Sequence, residues 1–225
     1  MKKFVLLTQK SWHDNILKEL AARPDEEWIR IQNRRDLNLE TLEKLAPDFV
    51  FIPHWSYIIP EEIWSAYPCV VFHMTDLPYG RGGSPLQNLI VRGHKFTKIS
   101  ALNVNEGIDT GDLYLKSPLS LQGTAQEIFE RSSPIIKDMI EDIIDHKIEP
   151  QPQKGEAVNF KRRKPADGSL DQLKDLNQVY DYIRMLDADG YPRAFLETEF
   201  FRIEFESASE IDNNELKANV RILKK

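Results

Sequence analysis

His73 and Asp109 are the residues of this sequence best placed to move protons. His73 ends the apolar stretch Cys69-Val70-Val71-Phe72-His73 and runs on into Met74-Thr75-Asp76-Leu77-Pro78. Open α/β sheets hold ligands outside the carboxyl ends of their strands, and an imidazole there can give or take a proton near neutral pH. A histidine in that place is also satisfied by a plain hydrogen bond to a backbone carbonyl. Asp109 belongs to the turn Asn105-Glu106-Gly107-Ile108-Asp109-Thr110-Gly111-Asp112, which follows the next candidate strand and so returns to the same edge. A carboxylate there would orient the imidazole and favour its charged form. Asp-Thr-Gly is equally ordinary turn chemistry, so spacing alone leaves both readings open.

Between the two lies Gly80-Arg81-Gly82-Gly83-Ser84. Glycines let backbone N–H groups approach an anion, and a helix starting at Ser84-Pro85 would add its free N–H groups. The alternative is a tight strand-to-helix turn. The run is no dinucleotide fingerprint, because Pro85 stands where G-x-G-x-x-G needs its third glycine, and it has no P-loop lysine. The histidines at 13, 54, 73, 94 and 146 show no HExxH spacing, so no metal is expected. Serines lack a G-x-S-x-G frame, and Cys69 lies inside an apolar strand, where packing is its natural role. Lys161-Arg162-Arg163-Lys164 is the one basic run, fit for a phosphate or pyrophosphate or simply for a solvated face. Trp12, Trp55, Tyr79 and Tyr191 could stack on a heterocycle, although core or rim packing is the default for such residues.

Phe4 to Leu7, Trp28 to Ile31 and Phe49 to Ile52 are apolar runs separated by helical spacings at Ile16, Leu17 and Leu20 and at Leu39, Leu42 and Leu45. This is a βαβαβ pattern, and its continuous rather than alternating strands suit a mostly parallel sheet covered by helices on both faces. Val70 to Phe72 continues the series. A helix with Ser84 as N-cap and Pro85 at N1 follows, then strands over Lys98 to Val104 and Asp112 to Leu119. Ile136, Met139, Ile140, Ile143 and Ile144 share one face of a helix over Thr124 to Lys147. Glu149 to Gly155 has the composition of a linker or an extended connection. The expected organisation is therefore a Rossmann-like catalytic domain over residues 1–150 and a small α+β extension over 151–225, with a helix near Leu173 to Ile183, a strand at Phe200 to Phe205 and a charged, mobile end.

The 225 residues are 41% hydrophobic and 29% charged, with a formal charge of -6. A surplus of Lys and Arg is absent overall, which argues against nucleic acid as a partner and leaves room only for a local basic patch. A single cysteine excludes an intramolecular disulfide and fits a reducing, cytoplasmic setting. Phe4 to Leu7 is too short for a signal sequence or a membrane span.

His73 with Leu77-Pro78 and Arg81-Gly82, then Ser84-Pro85-Leu86-Gln87, and Gly107-Ile108-Asp109-Thr110-Gly111-Asp112 resemble the folate-dependent formyltransferases, in motif and in mutual spacing. Lys161-Arg162-Arg163, Ile183-Arg184 and Tyr191-Pro192-Arg193-Ala194-Phe195 resemble the tail of the shorter members. The resemblance implies a domain that binds N10-formyltetrahydrofolate as co-substrate. Catalysis would rest on His73, Asp109 and Thr75, and the folate contacts on Leu77, Arg81, Gly82, Gly83, Gln87, Asn105, Gly107 and Ile108. A protonated His73 held by Asp109 would stabilise the oxyanion. Where the family carries an asparagine as oxyanion donor, two residues before the histidine, this chain has Val71. Loss of one such donor costs on the order of 10² to 10³ in rate.

Larger members formylate initiator methionyl-tRNA through an added C-terminal domain. The short tail and negative charge here point instead to a nucleotide-linked amino sugar of surface-glycan biosynthesis as acceptor, with Lys161, Arg162 and Arg163 at its pyrophosphate. Length and charge lead to the expectation of no nucleic-acid partner and no membrane insertion, and homodimerisation is left open. The alternatives are formyl transfer to another amine, aminoacyl or purine precursor, and a catalytically impaired folate-binding protein.

Overall fold

In the computed structural model of the chain, which describes residues 1–209 and 211–225, the early apolar runs become the strands of a six-stranded sheet. In chain order the elements are β1 (Lys2–Leu7), α1 (Asp14–Leu20), β2 (Glu26–Ile31), α2 (Leu39–Leu45), β3 (Phe49–Pro53), α3 (Glu61–Trp64), β4 (Cys69–His73) and β5 (Tyr79–Gly82). There follow α4 (Pro85–Ile90), β6 (Phe96–Asn103), β7 (Leu113–Ser120), α5 (Ala125–Asp145), β8 (Val158–Phe160), α6 (Leu176–Arg184), β9 (Ala194–Glu197), β10 (Phe201–Glu206) and β11 (Asn219–Lys224). The main sheet runs β2-β1-β3-β4-β6-β7. β1 pairs in parallel with β2 and β3, and β3 with β4, whereas β6 is antiparallel to β4 and sets Ser100 opposite His73. This is a Rossmann-like α/β sheet.

Parallel strands with both faces covered bury successive residues, and Val5, Leu6, Leu7, Val50, Phe51 and Ile52 are all buried. The two faces separate with period two. Val5, Leu7, Val50 and Ile52 join Ile31, Leu42 and Ile63 in one cluster. Phe4, Phe51, Phe72 and Trp28 meet ring to ring. Each such side chain contributes about 1.5–3 kcal/mol on burial. α2 begins where Asn38 accepts from the Thr41 N–H and stops at Ala46, whose left-handed backbone (φ 46°) cannot continue a helix. α5 runs through Pro134. Its buried stripe Ile136, Met139, Ile140 and Ile143 outweighs the hydrogen bond that the proline removes.

The chain divides into two compact units. The first comprises Met1–Gly82, Thr97–Leu119 and Glu130–Asn159, and the second Gly83–Phe96, Ser120–Phe129 and Phe160–Lys225. In the second unit, buried Arg184 donates from Nη1 to the Leu121 and Gly123 carbonyls, at 2.7 and 3.0 Å, and from Nε to Asp181 at 2.7 Å. β9, β10 and β11 form an antiparallel sheet there.

Two local expectations are corrected. The charged end expected to be mobile is β11, which pairs with β10 from Asn219↔Glu206 to Lys224↔Phe201. Charge on one side of a strand does not prevent pairing when Val220 and Ile222 alternate with it. Ser84 precedes α4 as expected, but with a left-handed backbone (φ 51°) and no side-chain cap. Its Oγ accepts from the Arg163 N–H at 3.1 Å instead.

Candidate active site

His73 stands at the carboxyl end of β4, its imidazole 7% exposed and thus held by protein groups on nearly every side. Nε2 donates to the Gly80 carbonyl at 2.8 Å. Nδ1 faces Asp109 Oδ2 at 3.5 Å, long for a hydrogen bond and close for an ion pair. Both readings of the histidine are therefore present at once, the carbonyl-bonded ring and the carboxylate-paired one. A doubly protonated ring satisfies both acceptors with its two N–H groups.

Asp109 is fixed by backbone. Its left-handed conformation (φ 53°) turns the chain back towards β4, and Oδ2 accepts from the Gly82 N–H at 2.8 Å. The turn that carries it closes on Asn105, whose Oδ1 accepts from the Gly107 N–H at 3.1 Å and the Thr110 hydroxyl at 2.8 Å. A Cβ on Gly111 would stand 1.7 Å from the Asn103 carbonyl oxygen, and one on Gly107 would stand 2.2 Å from Thr110 Oγ1, so both positions require glycine. Thr75 donates to the Gly80 carbonyl at 3.3 Å, and Ser100 ties the Thr75 carbonyl (2.7 Å) to the Leu77 N–H (3.2 Å). The loop from Met74 to Gly82 is thereby locked beside the histidine.

Sequence reasoning missed Gln153. Its Oε1 accepts both Arg81 Nε and Nη2, at 3.2 and 2.7 Å. Its Nε2 donates to the Asp109 and Gly111 carbonyls, at 2.9 and 2.8 Å. One amide thus joins Arg81, an expected folate contact, to the aspartate turn. No motif marks it, since it lies in a stretch whose composition reads as a connection.

The expected residues fall into two groups. His73, Thr75, Leu77, Arg81, Gly82, Asn105, Gly107, Ile108 and Asp109 belong to the first unit. Leu77 is fully buried, while Ile108, at the tip of the turn, is 67% exposed and available to a ligand. Gly83, Gln87, Lys161, Arg162 and Arg163 belong to the second unit. There Gln87 donates to the Met185 carbonyl at 3.3 Å, and Gly83 lies so close to Arg162 that a Cβ would stand 2.5 Å from the arginine's own Cβ. Arg163 donates to the Asp167 carbonyl at 2.7 Å and lies over the Tyr182 ring, while Lys161 and Arg162 are exposed.

Two histidines without motif spacing also meet beyond the ends of β1 and β3. His13 Nε2 and His54 Nδ1 are 2.7 Å apart, and His13 Nδ1 is 2.9 Å from the Ser133 hydroxyl. Burial is the main force that pushes His13 down to about 2, with His54 and Arg30 adding to it, and burial, with Lys10, pushes His54 down to about 3. Both rings are neutral at physiological pH. Among the described residues no group of three or more His, Cys, Asp or Glu side chains is arranged to hold a metal ion. No helix of the described residues is long and apolar enough to cross a membrane.

A histidine–aspartate pair thus lies beside a glycine-bracketed turn at the carboxyl edge of a Rossmann-like sheet. Residues 5–131 match the formyl transferase family, residues 165–223 match the methionyl-tRNA formyltransferase C-terminal domain, and the chain belongs to the folate-dependent formyltransferase family. A solved structure titled methionyl-tRNA formyltransferase from Clostridium thermocellum is 46% identical, with a TM-score of 0.97 over 100% of both chains. The methionyl-tRNA formyltransferase of Francisella philomiragia is 30% identical over 83% of this chain and 62% of its own length. That of Campylobacter curvus is 30% identical over 68% of this chain and 52% of its own. The chain spans about half the length of the curated relatives it matches. A sugar N-formyltransferase from a Shewanella species, with a TM-score of 0.70 over 95% of this chain and 100% of its own, shares the fold at 15% identity.

These relatives correct the expected acceptor. A nucleotide-linked amino sugar and the exclusion of nucleic acid do not stand, because the similar sequences are named for methionyl-tRNA and the sugar enzymes resemble this chain in fold alone. The argument from net charge failed for a physical reason. A ligand responds to the local field, and Lys161, Arg162 and Lys164 are exposed together whatever the sum over the chain.

Proposed function

We propose that this chain transfers the formyl group of N10-formyltetrahydrofolate to the amine of an aminoacyl group carried by tRNA. The observation that carries the chemistry is the placement of His73 against Asp109 Oδ2. The full-length 46% identity to a structure titled methionyl-tRNA formyltransferase supports the acceptor.

In the reaction the acceptor nitrogen forms a bond to the formyl carbon and the carbonyl π pair moves onto oxygen. The return of that pair expels N10 of the folate, which takes up a proton in place of the one the acceptor nitrogen loses. His73 lends positive charge to the developing oxyanion, and Asp109 orients the ring and balances that charge. Thr75 fixes the Gly80 carbonyl that the ring also holds. A flat heterocycle suits the turn at Asn105 to Gly111, because its glycines leave the backbone open to approach and Ile108 offers an exposed apolar surface. Leu77, Arg81, Gly82, Gly83 and Gln87 are assigned to the folate. Lys161, Arg162 and Arg163 are assigned to acceptor phosphates, which exposed guanidinium and ammonium groups recognise by charge-assisted hydrogen bonds.

The test is formyl transfer from N10-formyltetrahydrofolate, with methionyl-tRNA, free methionine and a nucleotide-linked amino sugar offered separately. Transfer to methionyl-tRNA, lost in His73→Ala and Asp109→Ala variants that still bind folate, is expected. Folate binding without transfer to any of the three amines would refute the reading.

A further inference from the structure

Arg81 stands between two glycines that each meet one half of the histidine–aspartate pair. The Gly80 carbonyl before it accepts from His73 Nε2 at 2.8 Å, and the Gly82 N–H after it donates to Asp109 Oδ2 at 2.8 Å. Both glycines have positive φ (83° and 102°), backbone that is open to glycine and strained for other residues.

The side chain of Arg81 reaches the same aspartate by a second route. Nε and Nη2 donate to Gln153 Oε1 at 3.2 and 2.7 Å, and Gln153 Nε2 donates to the Asp109 and Gly111 carbonyls at 2.9 and 2.8 Å. The partners fix which way the amide points, because a guanidinium only donates and a carbonyl only accepts. Backbone and side chains therefore close a ring, from Asp109 Oδ2 through Gly82 and Arg81 to Gln153 and back to the Asp109 carbonyl. His73 is tied to that ring twice, at the Gly80 carbonyl and at Asp109.

The ring is anchored on neighbouring strands. Gln151 exchanges backbone hydrogen bonds with Leu113 at the start of β7, at 2.8 Å each, which fixes the segment that carries Gln153. The Asn103 N–H at the end of β6 donates to the Asp112 carbonyl at 2.8 Å and closes the base of the turn that carries Asp109.

Position 153 has to accept on one side and donate twice on the other. An amide does both, and neither a carboxylate nor an ammonium can. A carboxylate would hold Arg81 and repel the two carbonyls, while an ammonium would hold the carbonyls and repel Arg81. A neutral acceptor also leaves the charge of Arg81 unneutralised, and the rest of its N–H groups can meet a ligand oxygen.

We propose that Gln153 is a positioning residue for formyl transfer, which sets Asp109 against His73 through the nitrogen of its amide and aims Arg81 at an oxygen of the folate through the oxygen. The assignment rests on the formyl-transfer reading. It makes chemistry and donor binding separable at a single side chain.

Two substitutions in the full chain separate them. Gln153→Glu keeps the acceptor for Arg81 and loses the donors, so kcat for transfer to methionyl-tRNA should fall on the order of 10- to 10²-fold while the Kd of 5,8-dideazafolate stays within about twofold of the parent's. Gln153→Lys keeps donors and loses the acceptor, so that Kd should rise about tenfold while kcat at saturating folate falls less than in Gln153→Glu. Hydrogen exchange reads the geometry without turnover. The Gly82 amide, which Asp109 holds, should exchange about tenfold faster in Gln153→Glu and near the parental rate in Gln153→Lys, with the Val5 and Val50 amides of the main sheet unchanged in both. Parental kcat in Gln153→Glu, equal changes in kcat and folate Kd in the two variants, or equal Gly82 exchange in both overturns the proposal. Faster exchange at Val5 and Val50 as well would make Gln153 a support of the fold, and overturns it too. If the parent transfers to no amine, the formyl-transfer reading fails by itself, and Gly82 exchange with dideazafolate binding still decides what each end of the amide does.

Discussion

Acid should unfold this protein in a window set by its two buried, neutral histidines. In the folded chain His13 and His54 are pushed down to about 2 and about 3, chiefly by burial, whereas in the unfolded chain each titrates near the ordinary histidine value of about 6.5. The unfolded state therefore binds more protons across the whole interval, and stability is fully present above pH 6.5 and falls as the pH drops towards 3. Lowering the pH from about 7.5 to about 5 costs about 2 kcal/mol per histidine, RT ln(1 + 10^1.5), or about 4 kcal/mol for the pair. The amount is insensitive to how far below pH 5 the folded values lie, because the unfolded chain sets it. Against a total of about 5–15 kcal/mol this is a large fraction, and with a urea m-value near 2 kcal/mol/M it moves the midpoint by about 2 M. Asp76 does not overlap the window. Burial alone would raise its pKa, but hydrogen bonds from Lys116 and Lys98 outweigh that and hold it below the usual range, so its contribution is lost only below about pH 4. The assay is a series of urea titrations across that pH range, on the parent and on His13→Gln with His54→Gln. A flat midpoint in the parent, or the same slope in the double variant, would show that the pair is not buried and neutral as described.

Gly111→Ala should destabilise the protein by about 1–3 kcal/mol and weaken folate binding, because its Cβ would collide with the Asn103 carbonyl and displace the turn that holds Asp109. Urea midpoints and folate titration read the two effects. Arg184→Leu should cost about 3–5 kcal/mol, since it leaves Asp181 and the Leu121 and Gly123 carbonyls without their buried partner. A calorimetric Tm close to that of the parent would contradict this.

The sheet was legible in the sequence because a strand covered on both faces has to be apolar at every position, as Phe4 to Leu7 and Phe49 to Ile52 are. The long helix was legible because Ile136 to Ile144 repeats at helical spacing. His73 and Asp109 were legible as places, by the rule that strand ends build sites, and their pairing came from the family resemblance rather than from spacing. Short pieces such as β5 and β8 were not, because strands of four and three residues carry too little pattern to declare themselves. Gln153, His13 and His54 escaped for another reason. Their roles are relations between residues far apart in sequence, 44 positions from Asp109 to Gln153 and 41 from His13 to His54. No local window contains both partners. β11 was lost to an assumption about charge, and the acceptor to an assumption about net charge, where in each case the arrangement mattered and the sum did not.

The segment after α5 looks like the place to divide this protein, and its contacts argue otherwise. Gln151 exchanges both backbone hydrogen bonds with Leu113, at 2.8 Å each, Gln153 bridges Arg81 to the Asp109 turn, and the Val158 N–H donates to the Pro78 carbonyl at 3.1 Å. A fragment that stops at Pro150 would keep every strand of the main sheet and lose the amide that holds its aspartate in place. Such a fragment would be native-like by circular dichroism yet defective at its centre. Insertions or proteolytic nicks between 150 and 159 would likewise register as lost activity well before they registered as lost fold.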